Sequence, residues 1–118
     1  MVTTPLIRTL SLLLLLLLAG AAPAAVEPAS PSPRRAEAEA LYRRSVTLLA
    51  RGTVEARRQA LRELEQATLL EPGEAVYQLA LARAYQAAGF LRSARERYER
   101  VARIRPDDAA GHVGLAQM

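Results

Sequence analysis

Apolar side chains after residue 33 recur every three or four positions, the spacing that places them on one face of an α-helix. Ser32 and Pro33 predict where the first helix starts, because Ser is a favoured N-cap and Pro is tolerated at the first helical position. Gly52 predicts its end, since glycine readily takes the left-handed conformation that closes a helix. The stripe of this helix consists of Leu41, Ser45, Leu48 and Leu49.

Three more helices follow, separated by residues that break helices. Thr53 can cap the second helix, and Pro72 stops it. The third helix is predicted over residues 74–88 and the fourth over residues 91–105. The breaks after these two are Gly89 and Pro106, and the candidate caps of a fifth helix are Asp107 and Asp108.

Part of this pattern repeats with a constant offset of 34 positions. The repeated residues are Ala60, Leu64, Ala67, Leu70 and Pro72, followed by Ala94, Tyr98, Val101, Ile104 and Pro106. In such a series the small residue lets two helices approach, the larger residues fill the space between them, and proline turns the chain into the next unit. The same offset relates Leu81-Ala82 to Leu115-Ala116. The sequence therefore predicts an all-α fold of repeated helix pairs.

Residues 75–108 resemble the tetratricopeptide repeat (TPR) family, whose units of this length are antiparallel helix pairs stacked into an α-solenoid. Gln78 departs from the usual Trp of the family, and Val101 replaces a usual Ala. The resemblance implies about two repeats and the start of a third. The residues that carry it are Leu81, Ala82, Tyr85, Gly89, Ala94, Tyr98 and Pro106.

The earlier helix pair resembles the family less closely. Gly52 lies eight residues before Ala60, whereas Gly89 lies five residues before Ala94. The three extra residues form either an elongated turn or an additional helical turn near residues 53–59. The predicted TPR-like domain covers residues 34–118, with repeats at about 38–74 and 75–108 and a partial repeat at 109–118.

Residues 1–24 are typical of a signal peptide. Arg8 supplies the positive charge that precedes the apolar core of such peptides, and residues 10–19 form that core. The small residues Ala22-Pro23-Ala24 predict cleavage before Ala25. The chain is therefore expected to be exported, and to be periplasmic or secreted.

Three other features of the N-terminal region bear on this expectation. Cleavage after Ala21 is a competing site, and an uncleaved inner-membrane anchor over residues 10–25 is the alternative to cleavage. Position 21 is Ala where a bacterial lipoprotein requires Cys, which excludes lipidation there. Residues 25–33 are rich in Pro, Ala and Ser and predict an extended linker.

Composition narrows the chemistry that the chain can perform. Apolar residues make up 51% of it but aromatic residues only 4%, which favours helices packed through Ala and Leu over β-sheets. The chain has no cysteine, which excludes disulfides and thiol nucleophiles. All 16 basic residues are Arg and they are interleaved with Glu, and the 12 acidic residues leave a net charge of +4. Nucleic-acid binding is therefore not expected.

No catalytic, metal or cofactor site is expected. His112 is the only histidine and has no companion ligands in the sequence, so we interpret it as a packing residue. Asp107 and Asp108 are better explained as caps than as paired catalytic carboxylates. The fourth helix carries i,i+4 ion pairs typical of a solvated face: Arg92–Glu96, Arg95–Glu99, Glu96–Arg100 and Glu99–Arg103.

The resemblance implies a concave groove, lined by the first helix of each repeat, that holds a partner peptide or helix. The groove positions of the better repeat fall on Val76, Leu79, Arg83 and Gln86. Those of the earlier repeat fall on Glu39, Tyr42, Val46 and Leu49. The apolar members could equally belong to the core or to the packing between repeats.

The chain is therefore interpreted as a protein–protein interaction scaffold of the cell envelope or periplasm, and not as an enzyme. The alternative is the N-terminal repeat region of a longer exported protein whose activity lies beyond residue 118. A third hypothesis is an arginine-mediated binder of anionic polymers or lipid surfaces. Self-association through the C-terminal helix is a further expectation, because no second helix follows to cover Leu115.

Overall fold

The computed structural model describes residues 29–118, which contain five α-helices and no β-strand. The all-α prediction is confirmed for this part of the chain. The predicted signal peptide and residues 25–28 of the predicted linker lie outside the described residues, and Pro33, the last residue of that linker, is already helical. All five helices belong to one compact unit, Pro31–Met118. They are α1 (Pro33–Arg51), α2 (Val54–Leu70), α3 (Ala75–Ala87), α4 (Leu91–Ile104) and α5 (Ala109–Ala116).

The ends of the helices form as the local sequence predicts. Ser32, Thr53 and Asp108 each accept a hydrogen bond from a backbone N–H in the first turn of α1, α2 and α5, at 3.2, 3.1 and 3.0 Å. Of the two aspartates considered as caps of α5, only Asp108 takes that role. Gly52 and Gly89 have φ angles of 72° and 85°, which residues with a Cβ rarely adopt.

The three extra residues of the earlier helix pair lengthen α2. This helix has 17 residues and α4 has 14, a difference of one helical turn. Only Gly52 and Thr53 separate α1 from α2, so the alternative of an elongated turn is wrong.

The core forms where each helix packs against the next one along the chain. Ala60 of α2 and Ala94 of α4 are fully buried, and this allows close approach of neighbouring helices. Leu64 and Tyr98, one turn further along each helix, fill the adjacent space. In addition to α4, α5 contacts α3. Within residues 29–118, no helix combines the length and the apolar character that a bilayer span requires.

One member of the predicted stripe of α1 does not face the core. Leu41, Ser45 and Leu48 are buried, whereas Leu49 is exposed. Successive residues of a helix project about 100° apart, so Leu48 and Leu49 cannot both point at α2. The hydroxyl of the buried Ser45 donates a hydrogen bond to the carbonyl oxygen of Tyr42 at 2.6 Å.

Two turns of the chain, α2 to α3 and α4 to α5, have the same backbone geometry. Glu71 has φ and ψ of −131° and 75°, and Arg105, 34 positions later, has −130° and 76°. In each turn the N–H three residues further on donates to the carbonyl oxygen of that residue, at 3.2 and 3.1 Å. The prolines that follow, Pro72 and Pro106, therefore lie in turns with the same backbone conformation.

A side chain of the following helix bonds to each of these prolines. Nε2 of Gln78 donates to the carbonyl oxygen of Pro72 at 3.0 Å, and Nε2 of His112 lies 3.1 Å from that of Pro106. His112, the single histidine, thus contacts the turn between α4 and α5. Gln78 is almost fully buried, and its amide oxygen also accepts from Nη1 of Arg97 at 3.3 Å. These bonds satisfy the polar groups of a side chain that is shielded from water.

Candidate functional site

The eight candidate residues on α1 and α3, which we call the first-helix face, all retain solvent exposure. Val46, Leu49 and Val76 are 49%, 38% and 40% exposed, and Arg83 is exposed as well. These three apolar side chains are therefore not part of the core. The half-buried members of the face are Glu39, Tyr42, Leu79 and Gln86.

Tyr42 connects α1 to α3. Its ring centroid lies 5.2 Å from that of Tyr77, with 38° between the ring planes. Glu39 is close to the same junction. Burial is the main cause of the raised pKa of Tyr77, and the negative charges of Glu74 and Glu39 raise that pKa further. The Glu39 carboxylate also pairs with Arg43. This end of the first-helix face is thus held in place by contacts within the fold.

Tyr98 of α4 contacts residues at the other end of the first-helix face. Its hydroxyl donates a hydrogen bond of 2.6 Å to Oε1 of Gln86. Burial raises the pKa of Tyr98, and the nearby positive charge of Arg83 partly opposes that rise. Leu79 packs against the buried cluster that contains this ring. The tertiary structure therefore brings three of the four α3 candidates to one aromatic side chain.

Val113 is an exposed residue that was not among the candidates predicted from the sequence. It lies on α5, 34 positions after Leu79, and is 48% exposed. Leu115, two residues later, packs against the cluster of Ala82, Ala94 and Tyr98 instead. The offset of 34 could have identified Val113, since it makes this residue the α5 equivalent of Leu79 on the first-helix face.

Outside the first-helix face, the most perturbed titrating group is the Tyr85 hydroxyl. It donates a hydrogen bond of 2.5 Å to Oε1 of Glu65, which joins α3 to α2. Burial, followed by this hydrogen bond and the charge of Glu65, raises the pKa of Tyr85 to about 12. The protonated phenol is therefore the form that the fold stabilises.

The Tyr85–Glu65 contact predicts a loss of stability in alkaline solution. Because the pKa rises from 10.0 in the unfolded chain to about 12 in the folded one, the stabilisation is complete below pH 10 and disappears as the pH rises towards 12. The chain should be more stable than Tyr85→Phe below pH 10, and this difference in the free energy of unfolding should decrease between pH 10 and pH 12. Urea unfolding at several pH values measures it, and a difference that does not change with pH would contradict the prediction.

The charge pattern predicted on α4 is only partly formed. Of its four i,i+4 pairs, the described residues show only Arg92–Glu96, with Nε and Oε1 3.8 Å apart, and the other three predictions are wrong. Exposed ion pairs gain little free energy and cost side-chain entropy, so water competes successfully for these groups. Among residues 29–118, no group of His, Asp or Glu side chains is arranged to hold a metal ion.

No protein-family model, no curated protein and no solved structure matches this chain, so its repeat register depends on the residues and turns described above.

Proposed function

We propose that residues 34–118 form a TPR-like α-solenoid that serves as a protein-interaction scaffold, with a partner peptide or helix bound along the first-helix face. The observation that carries the proposal is the exposure of Val46, Leu49 and Val76 on that face. Val46 and Leu49 are three positions apart on α1 and therefore lie on the same side of that helix. Neighbouring exposed apolar side chains commonly mark an interaction site when they form a patch with polar groups around it.

The repeat register is supported by burial at equivalent positions. Ala60, Leu64 and Ala67 of α2 are buried, and so are the residues 34 positions later on α4. The two turns that follow these helices also share their backbone angles. Agreement between buried positions and turn geometry at one constant offset is the property expected of stacked repeats.

The chemistry of the face favours a partner with apolar anchors. Val46 and Val76 offer apolar surface, the exposed Arg83 places a positive charge on α3, and Glu39 and Arg43 form an ion pair on α1. The partner would bury its own apolar residues against the valines, and the charges would orient it. Such a face binds and positions a partner, so the proposal is for a scaffold rather than an enzyme.

The cellular location is part of the proposal and depends on the sequence of residues 1–24. A signal peptide there would deliver the scaffold to the periplasm or the exterior of the cell. A second candidate function is the N-terminal repeat region of a longer exported protein. In both cases the first-helix face would have the same role.

Selection of peptides on the purified chain tests the proposal. A phage-displayed library of random peptides should yield sequences that bind saturably, with leucine, isoleucine or aromatic residues at recurring positions. Val46→Glu and Val76→Glu should each weaken their binding by about tenfold or more, because a carboxylate would replace a buried apolar contact.

The matched control is Leu69→Glu on α2, since Leu69, at 75%, is the most exposed large apolar side chain outside the first-helix face among residues 29–118. This variant should bind the selected peptides as the original chain does. Peptides that lose affinity for Leu69→Glu but not for Val46→Glu and Val76→Glu would show that the proposed face is wrong.

A further inference from the structure

A second apolar feature lies away from the first-helix face, where the start of α2 meets the end of α3. It is a cleft of about 390 Å³, and its apolar lining consists of Val54, Leu61, Ala87, Ala88 and Phe90. None of these residues belongs to the first-helix face. The cleft is therefore independent of the groove proposed above.

Large apolar side chains are unusually exposed around this cleft. Val54 and Phe90 are 54% and 56% exposed, and Leu91, next to Phe90 in the chain, is 54% exposed. The Phe90 ring is held edge-on against Tyr85, with centroids 6.1 Å apart and an angle of 88° between the rings. One wall of the cleft is thus already in position before any ligand arrives, which lowers the entropic cost of binding.

The charge around the cleft is positive. Arg57 and Arg58, on the first two turns of α2, are exposed and line it. Neither forms an ion pair with another residue of the described part of the chain, and within that part no carboxylate lines the cleft. Glu55, the acidic residue in the first turn of α2, is not among the lining side chains.

We infer that this cleft docks an acidic segment of a partner protein. A leucine or phenylalanine of the segment would enter the cleft between Val54 and Phe90, and carboxylates on either side of it would bind the guanidinium groups of Arg57 and Arg58. Guanidinium groups form strong, directional hydrogen bonds with carboxylates. Burial of one large apolar side chain against the apolar lining is also favourable. The concave shape favours a peptide over the surface of a bilayer, because a leucine or phenylalanine side chain can enter a cleft of about 390 Å³ that a lipid headgroup layer would only cover.

The test uses a fluorescent peptide in which a central Leu-Phe pair is flanked by glutamates, with binding to the chain followed by anisotropy. Binding should be saturable and should weaken as salt is added. The double variant Arg57→Gln/Arg58→Gln should bind about tenfold more weakly or worse, because two charge-assisted contacts are lost. A peptide with Ala-Ala in place of Leu-Phe should also bind at least about tenfold more weakly.

The matched control is Arg34→Gln/Arg35→Gln, which removes an adjacent pair of exposed arginines from the start of α1. It has the same net charge as the Arg57→Gln/Arg58→Gln variant. This variant should bind the acidic peptide as the original chain does. Val46→Glu, which alters the first-helix face, should also leave binding of the acidic peptide unchanged. Retained binding by Val46→Glu separates this inference from the proposed groove.

Two results would overturn the inference. Equal loss of binding in the two double-arginine variants would mean that only net charge attracts the peptide. The second result is association with phosphatidylglycerol vesicles that depends on Arg57 and Arg58, without binding of the acidic peptide. It would assign the cleft to a lipid surface instead.

Discussion

Ala94→Trp is expected to destabilise the helical unit by about 1–3 kcal/mol or more, because the side chain would enter a packed interface that has no room for it. Ala94 has no solvent exposure, and it forms one buried cluster with Ala82 of α3 and Tyr98 of α4. An indole at this position has to push α3 and α4 apart or force its neighbours out of their rotamers. Thermal and urea unfolding of the variant measure the loss.

The choice of control for this experiment follows from the structure. Ser93, the neighbouring position, is half-buried, whereas Arg95 is exposed. Arg95→Trp should therefore change the free energy of unfolding by no more than about 0.5 kcal/mol, as other exposed substitutions do. Ser93→Trp should fall between the two variants. Similar melting temperatures for Ala94→Trp and Arg95→Trp would contradict the assignment of Ala94 to the contact between α3 and α4.

Gly111→Ala is expected to detach α5 from α4. A Cβ at this position would lie 2.7 Å from the backbone nitrogen of Ala102 and 3.1 Å from the carbonyl oxygen of Tyr98. These are backbone atoms of α4, which cannot rotate away as a side chain can, so α5 has to move. The expected cost is about 1–3 kcal/mol, and it is limited by the free energy with which α5 docks.

The direction of this effect is informative because intrinsic helix propensity predicts the opposite. Within a helix, Ala is more favourable than Gly by about 1 kcal/mol. Hydrogen exchange of the α5 amides should nevertheless become faster in Gly111→Ala, while exchange in α1 and α2 should change little. The measurement therefore separates local detachment of α5 from a general loss of stability.

Gly73→Ala is the matched control for this variant. A Cβ on Gly73 would meet no atom within 4 Å, and its φ lies outside the left-handed region. The substitution should be neutral or stabilise the chain by about 0.4–1 kcal/mol, because it restricts the unfolded chain. If Gly111→Ala proves as stable as Gly73→Ala, α5 does not pack as closely as the structure shows.

The sequence alone determined the helices and most of their ends. Ser32, Thr53 and Gly52 act through hydrogen bonds and backbone angles that involve residues only a few positions away, so their effect can be predicted from their neighbours in the chain. The offset of 34 between Ala60 and Ala94 likewise identified positions that prove to be buried. Helical periodicity shows which residues share a face, and two prolines at the same offset show that the pattern repeats.

Only the tertiary structure decided what each face meets. It placed Leu49 at the surface, brought Tyr85 to Glu65 across two helices, and packed Gly111 against the backbone of α4. It also assembled the cleft beside Arg57 and Arg58 from the ends of two helices. These features depend on the distance and angle at which helices cross, which follow from the packing of many side chains at once. Periodicity along the chain contains no information about that crossing, so it could not predict the cleft. The residues of the first-helix face were predicted by the resemblance to the TPR family and not by periodicity.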